Sequence, residues 1–126
     1  MMQLVIIGVF GAVGAIGRYL VSGWAYRVFG ESFPFGTLTV NLIGCFLLGL
    51  VAYVGQTTEW ISAPYRQGVS IGMLGALTTF STFSYETLMQ VQVGQWTAAL
   101  TNIACNVLFG LACAWAGLVV GQAIAG

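Results

Sequence analysis

Gly72-Met73-Leu74-Gly75-Ala76-Leu77-Thr78-Thr79-Phe80-Ser81-Thr82-Phe83-Ser84-Tyr85-Glu86 lies in the middle of the third apolar run of this 126-residue chain. A helix that crosses a membrane is ordinarily an uninterrupted apolar cylinder, because its backbone groups find no water in the hydrocarbon core. This stretch instead holds two glycines, three threonines and two serines. Glycine disfavours a helix interior, and hydroxyl side chains compete for backbone hydrogen bonds. The reading is a break around Gly75–Thr79, followed by a helix with Phe80 and Phe83 on one side. Irregular backbone at membrane depth is tolerated only inside protein or along a wet cavity. The break is therefore a place where an ion could be held.

The surrounding composition supports a membrane setting. Charged residues make up 5% of the chain, against about 25% in soluble domains. Mean hydropathy is +0.95. There is no lysine, aspartate or histidine, and the formal net charge is zero, so nothing attracts nucleic acid or an acidic partner. Cys45, Cys105 and Cys113 all fall in apolar runs and read as small packing residues, with no disulfide framework. No metal-ligand spacing of side chains occurs.

Outward from the break, four apolar runs cover about 4–29, 35–55, 65–91 and 96–124, each able to supply the roughly 20 residues of a membrane span. The expected fold is an all-α membrane protein of four transmembrane helices, the third broken near its centre, forming one integral membrane domain over 1–126. Met1-Met2-Gln3 carries no positive charge and no cleavage site follows, which argues against a removed signal peptide. Gly8, Gly11, Gly14 and Gly17 recur every third residue and suggest a ridge for close helix approach. Trp24, Tyr26 and Arg27 read as an interfacial belt. Ser62 and Pro64 suit the cap and first turn of the third span. In the fourth, Asn102, Asn106 and Gly110 share a face, and Gly117 and Gly121 form a GxxxG pair.

Arg27 lies at the first loop and Arg66 just after the second, on opposite sides of a four-span protein, and each loop carries one glutamate. Positive residues in short loops set orientation, and here they balance. Both orientations can therefore insert and pair head to tail, giving an antiparallel homodimer with a two-fold axis in the membrane plane.

The polar residues each admit two readings. Asn41 is either interhelical glue or a donor to a dehydrated anion. Phe80 and Phe83 either pack or present their positive ring edges to an anion. The hydroxyls of Thr78, Thr79, Ser81, Thr82 and Ser84 either bond back to helix carbonyls or line a path. Carbonyls freed at Gly75 and Thr78 suit a hard cation such as Na⁺. Arg18 and Glu86 are the ionisable groups nearest the membrane interior, each also able to snorkel or pair near a span end.

The segments Gly36-Thr37-Leu38-Thr39-Val40-Asn41-Leu42 and Gly75-Ala76-Leu77-Thr78-Thr79-Phe80-Ser81-Thr82-Phe83-Ser84, with Gly17-Arg18-Tyr19 upstream, resemble the Fluc fluoride channels, also called CrcB proteins. The resemblance covers the whole chain. It implies an antiparallel, dual-topology homodimer in the bacterial cytoplasmic (inner) membrane. It also implies passive, fluoride-selective export that protects the cell from fluoride toxicity. By the same resemblance, the carbonyls of Gly75 and Thr78 hold a structural Na⁺ on the two-fold axis. Phe80, Phe83 and Asn41 belong to the ion pathway, with Thr79, Ser81, Thr82 and Thr37 beside them and Asn102 and Asn106 on the fourth helix. The family usually has two adjacent glycines at the break, and here the second is Ala76.

Two other classes compete. A small dual-topology multidrug/proton antiporter has the same size, but resembles its relatives in a membrane-embedded Glu of the first helix, which this chain lacks. A structural membrane subunit explains the glycines but not the hydroxyl-rich third run. An enzyme is the weakest reading, since no nucleophile–base pair can be assembled.

Overall fold

The computed structural model describes residues 1–126 and contains helices and short connections, with no strand. Helix α1 is Met2–Phe29 and α2 is Phe35–Thr57. Helix α3 covers residues 63–77, and its middle, Gly68–Leu74, is wound as a π-helix. Helix α4 is Phe80–Gln92. Helix α5 is Trp96–Ala125, with a second π-helical turn at Cys105–Phe109. Three of these helices, α1, α2 and α5, are long and apolar enough to cross a membrane.

The connections follow from local chemistry. Gly30 ends α1 at φ 88°, and its N–H reaches back to the Tyr26 carbonyl. Gly94, between α4 and α5, has φ 81°. Both positions use the left-handed region that glycine enters without a Cβ clash. Ser62 occupies the N-cap of α3 with Pro64 in the first turn, but its side chain makes no capping bond. Its backbone carbonyl accepts from the Arg66 N–H at 3.0 Å instead.

Helix packing relies on glycines that bring backbones into contact. A Cβ on Gly14 would overlap the Met73 backbone, and one on Gly72 would meet the Ile7 carbonyl, so α1 lies directly on α3. Gly49 faces the Ala114 carbonyl and Gly117 the Phe46 carbonyl, which joins α2 to α5 in the same way. Gly121 lies against Tyr53. The expected four-glycine ridge on α1 is only half used. Gly11 and Gly14 meet α3, Gly17 reaches only a Leu77 methyl at 3.8 Å, and Gly8 faces open space. Three residues of α-helix fall about 60° short of a full turn, so a three-residue spacing winds off any one face.

The small core lies where α1, α2 and α3 meet: Val40, Leu74 and Leu77 are buried, with Val21, Leu47, Val69 and Met73 around them. Only 22 of 126 residues are buried. Leu4, Val9, Val13, Ile16 and Leu20 on α1, and Leu108, Leu111 and Trp115 on α5, all point outward. In water such a surface would aggregate, whereas in lipid it is at home.

Candidate ion pathway

The chain leaves helical geometry for two residues. Thr78 (φ −83°, ψ 156°) and Thr79 (φ −151°, ψ 114°) are extended. Gly75, where the sequence suggests the break begins, is helical at φ −63°, ψ −35°. The extended residues are thus two β-branched threonines, the type that favours such backbone. Ala76 sits in a helical turn, where a methyl costs nothing. Each threonine also supplies a hydroxyl that closes the adjacent helix end. Thr78 Oγ1 donates to the Leu74 carbonyl at 3.0 Å. Thr79 Oγ1 accepts the Thr82 N–H at 3.1 Å as the N-cap of α4 and donates to Thr82 Oγ1 at 3.0 Å. The Thr78 methyl fits against α2 because position 44 is glycine.

Asn41, from the middle of α2, takes up the peptide freed at Thr79. Its Oδ1 accepts the Thr79 N–H at 2.8 Å, and its Nδ2 donates to the Thr79 carbonyl at 3.3 Å and to Asn106 Oδ1 at 2.9 Å. Both amide hydrogens are engaged, so of the two readings the geometry is that of interhelical glue. The carbonyls of residues 75–78 lose their i+4 partners across these extended residues, those of Gly75 and Thr78 among them. The Thr79 N–H serves Asn41 instead of the Gly75 carbonyl four residues back, and the Thr82 N–H serves Thr79 Oγ1 instead of the Thr78 carbonyl. Gly75 itself is exposed.

Two cavities share Thr79 on their walls. One, of about 320 Å³, is lined by Asn41, Gly44, Cys45, Phe80, Phe83 and Asn106, together with Ser70, Gly75 and Thr78 of α3 and its end. The other, of about 420 Å³, is lined by Arg18, Ser22, Tyr26, Thr37 and Thr82. The Phe80 and Phe83 rings meet at 5.7 Å between centroids, inclined by 57°. They differ sharply in setting: Phe83 is 9% exposed and Phe80 is 79% exposed. Ser81 is exposed and lines neither cavity.

Polar contacts extend from this centre in two directions. Thr37 Oγ1, buried, donates to Glu86 Oε1 at 2.9 Å, while Glu86 Oε2 has no partner. On the other side Asn106 Nδ2 donates to Asn102 Oδ1 and to the Asn102 carbonyl, both at 2.9 Å. Asn102 Nδ2 donates to Thr87 Oγ1 at 2.9 Å, and Thr87 donates to the Phe83 carbonyl at 2.8 Å. Asn102 is fully buried and lines neither cavity. The sequence reading passed over Ser22 and Thr87, and read Tyr26 only as part of an interfacial belt, whereas it lines the polar cavity. Thr87 carried a signal, standing one helical turn after Phe83. The pairing of Thr37 with Glu86 spans 49 residues and leaves no local trace.

Known proteins are similar to this chain over nearly its whole length. A family model described as CrcB-like protein, Camphor Resistance (CrcB), matches residues 5–118. A protein of Geobacter metallireducens named Fluoride-specific ion channel FluC is 46% identical over 122 residues, covering 97% of this chain and 98% of that protein. One of the same name from Citrifermentans bemidjiense is 46% identical over 124 residues, 98% of this chain and 100% of the relative. A third, from Geobacter sulfurreducens, is 43% identical over 122 residues, 97% and 98% of the two chains. With three helices of membrane-spanning length and character, the chain is a multi-pass membrane protein.

Proposed function

Because the chain belongs to the CrcB-like family, we propose that it is a fluoride-selective channel that lets fluoride leave the cell passively. The relatives named above are ion channels by name and not enzymes. The observation that carries the reading is the paired cavity at Thr79. Hydroxyl donors stand on one side of it and two phenyl rings on the other.

Fluoride enters the polar cavity, where Arg18 raises the local anion concentration and Ser22, Tyr26, Thr37 and Thr82 replace water hydrogen bonds one at a time. Past Thr79 the ion meets Phe80 and Phe83. Ring edges attract an anion through the ring quadrupole without a fixed charge, and conduction requires binding weak enough to release the ion. Asn41 and Asn106 hold the wall of this second cavity in place.

The same reading makes the Thr78–Thr79 interruption a break within a third membrane span formed by α3 and α4. It pairs two copies antiparallel across the exposed face that carries Gly75, Phe80 and Ser81. A Na⁺ ion fits that plan, because the carbonyls of Gly75 and Thr78 are free of the helix ladder and a two-fold axis would double them. Carbonyl oxygens suit a hard cation, and there it would neutralise the helix ends and join the copies. The membrane is the bacterial cytoplasmic (inner) membrane, and the role is protection from fluoride.

The test is efflux from liposomes containing the purified protein, read with a fluoride electrode, with chloride in parallel. Fast fluoride release without chloride release, and without an imposed proton gradient, is the expected result. Release that requires a proton gradient would favour an antiporter, and no release from well-inserted protein would favour a structural subunit.

A further inference from the structure

We infer that Asn102 is a positioning residue for the fluoride pathway, bracing the Asn106 and Asn41 amides from the side away from Thr79 and so tying the first turns of α4 in place. The inference rests on the fluoride-channel reading above and assigns Asn102 a role outside the path itself.

The argument is one of donor and acceptor order. The Thr79 N–H can only donate, so the Asn41 atom it meets at 2.8 Å must be the amide oxygen. The Asn41 nitrogen then faces Asn106, whose nearer atom must be oxygen. The Asn106 nitrogen in turn needs acceptors and finds two on Asn102, its Oδ1 and its backbone carbonyl. The Asn102 nitrogen needs one as well and finds Thr87, whose own proton goes to the Phe83 carbonyl. The chain of bonds runs in a single direction, from a backbone N–H at the start of α4 to a backbone carbonyl one turn later. Each amide has one orientation that satisfies its neighbours, and none can turn alone without leaving a buried group unpaired.

Asn102 is the member of this chain that is fully buried. It therefore cannot exchange a lost partner for water, whereas Asn41 and Asn106 border a cavity. Without its amide, the Asn106 nitrogen keeps only the Asn102 backbone carbonyl as acceptor, so the Asn106 amide is held less firmly where it meets Asn41. The Asn41 clasp on Thr79 then loosens, and with it the placement of the Phe80 and Phe83 rings. Thr87 also loses its donor from α5.

The experiment compares wild type, Asn102→Leu and Asn102→Asp for fluoride and chloride efflux from liposomes between acidic and alkaline pH, with protein-free vesicles subtracted for leak of HF. Gel filtration and thermal unfolding report on assembly. Leucine keeps the volume and removes both amide functions. The aspartate, when neutral, offers one O–H to Thr87 and one oxygen to Asn106, and burial favours its neutral form. The expected result is a loss of fluoride flux of about tenfold in Asn102→Leu, the scale of one buried polar contact, with a changed fluoride-to-chloride ratio. Asn102→Asp should conduct as wild type in acid and lose flux as pH rises, over a range where wild type does not change. A purely structural role would lower the amount of assembled protein without moving the ion ratio or creating that pH dependence. Wild-type flux and ratio in Asn102→Leu would overturn the inference. If the leucine variant does not assemble, wild-type flux and ion ratio in Asn102→Ala, which also removes both amide functions, overturn it just as well. Absence of fluoride flux in wild type would instead overturn the channel reading.

Discussion

A peptide group that leaves a helix inside an apolar bundle needs substitute partners for its N–H and C=O. Asn41 supplies both to Thr79. Replacing Asn41 by leucine keeps the volume but strands both groups. The expected cost is about 1–3 kcal/mol of stability, seen as a lower unfolding temperature in detergent, together with loss of fluoride flux. Thr79→Ser should keep both the cap and the flux, because a hydroxyl at that position accepts the Thr82 N–H and serine caps as well as threonine. Unchanged stability in Asn41→Leu would mean that water, not the amide, serves the Thr79 peptide. At this scale the sequence singled out residues that the structure joins by hydrogen bonds, but not the bonds they make. Amide and hydroxyl chemistry marked Asn41, Thr79 and Asn106 as special. Which of their atoms are already spent depends on partners 38 and 65 residues away, and no local pattern encodes that.

At the scale of helices, hydropathy located α1, α2 and α5 to within a few residues, because lipid demands long apolar runs. It did not show the π-helical turns at Gly68–Leu74 and Cys105–Phe109. These flank the site, one leading into the Thr78–Thr79 interruption and the other carrying Asn106. A π turn adds a residue to the helix and shifts every later side chain around the axis, an effect of packing that residue spacing hides. Glycine spacing was legible only in part for the same reason: the sequence shows where glycines are, and packing decides which of them a neighbour uses. This predicts a contrast within one residue type. Gly8→Ala meets nothing and should leave thermal stability within about 0.5 kcal/mol of wild type. Gly14→Ala and Gly117→Ala put a methyl into the backbone of a neighbouring helix and should cost about 1–3 kcal/mol through overpacking. Equal unfolding temperatures for all three variants would show that these helix pairs can separate freely.

At the scale of the whole molecule, the arginines bear on how the proposed pairing of copies would arise. The Arg66 guanidinium donates to the Gly55 carbonyl in the last turn of α2, and Arg27 Nε donates to the Gly23 carbonyl at 3.4 Å. Each positive charge thus stays close to a helix end, and on the proposed four-span reading, which puts the two loops on opposite sides, neither side has an excess. If two copies must insert in opposite senses to build the pathway, this balance is a requirement and breaking it should be costly. Glu31→Lys with Ser32→Lys makes the first loop strongly positive, and Glu59→Lys with Ser62→Lys does the same to the second. All four positions are exposed, and none lines the two cavities at Thr79, so the substitutions leave the path itself intact. Each variant expressed alone should insert in one sense only and give cells sensitive to fluoride. Expressed together, they should restore resistance, because the two populations then supply one another's inverted partner. Resistance from either variant alone, with its orientation verified by labelling of a loop cysteine from one side, would mean that a parallel or monomeric assembly conducts.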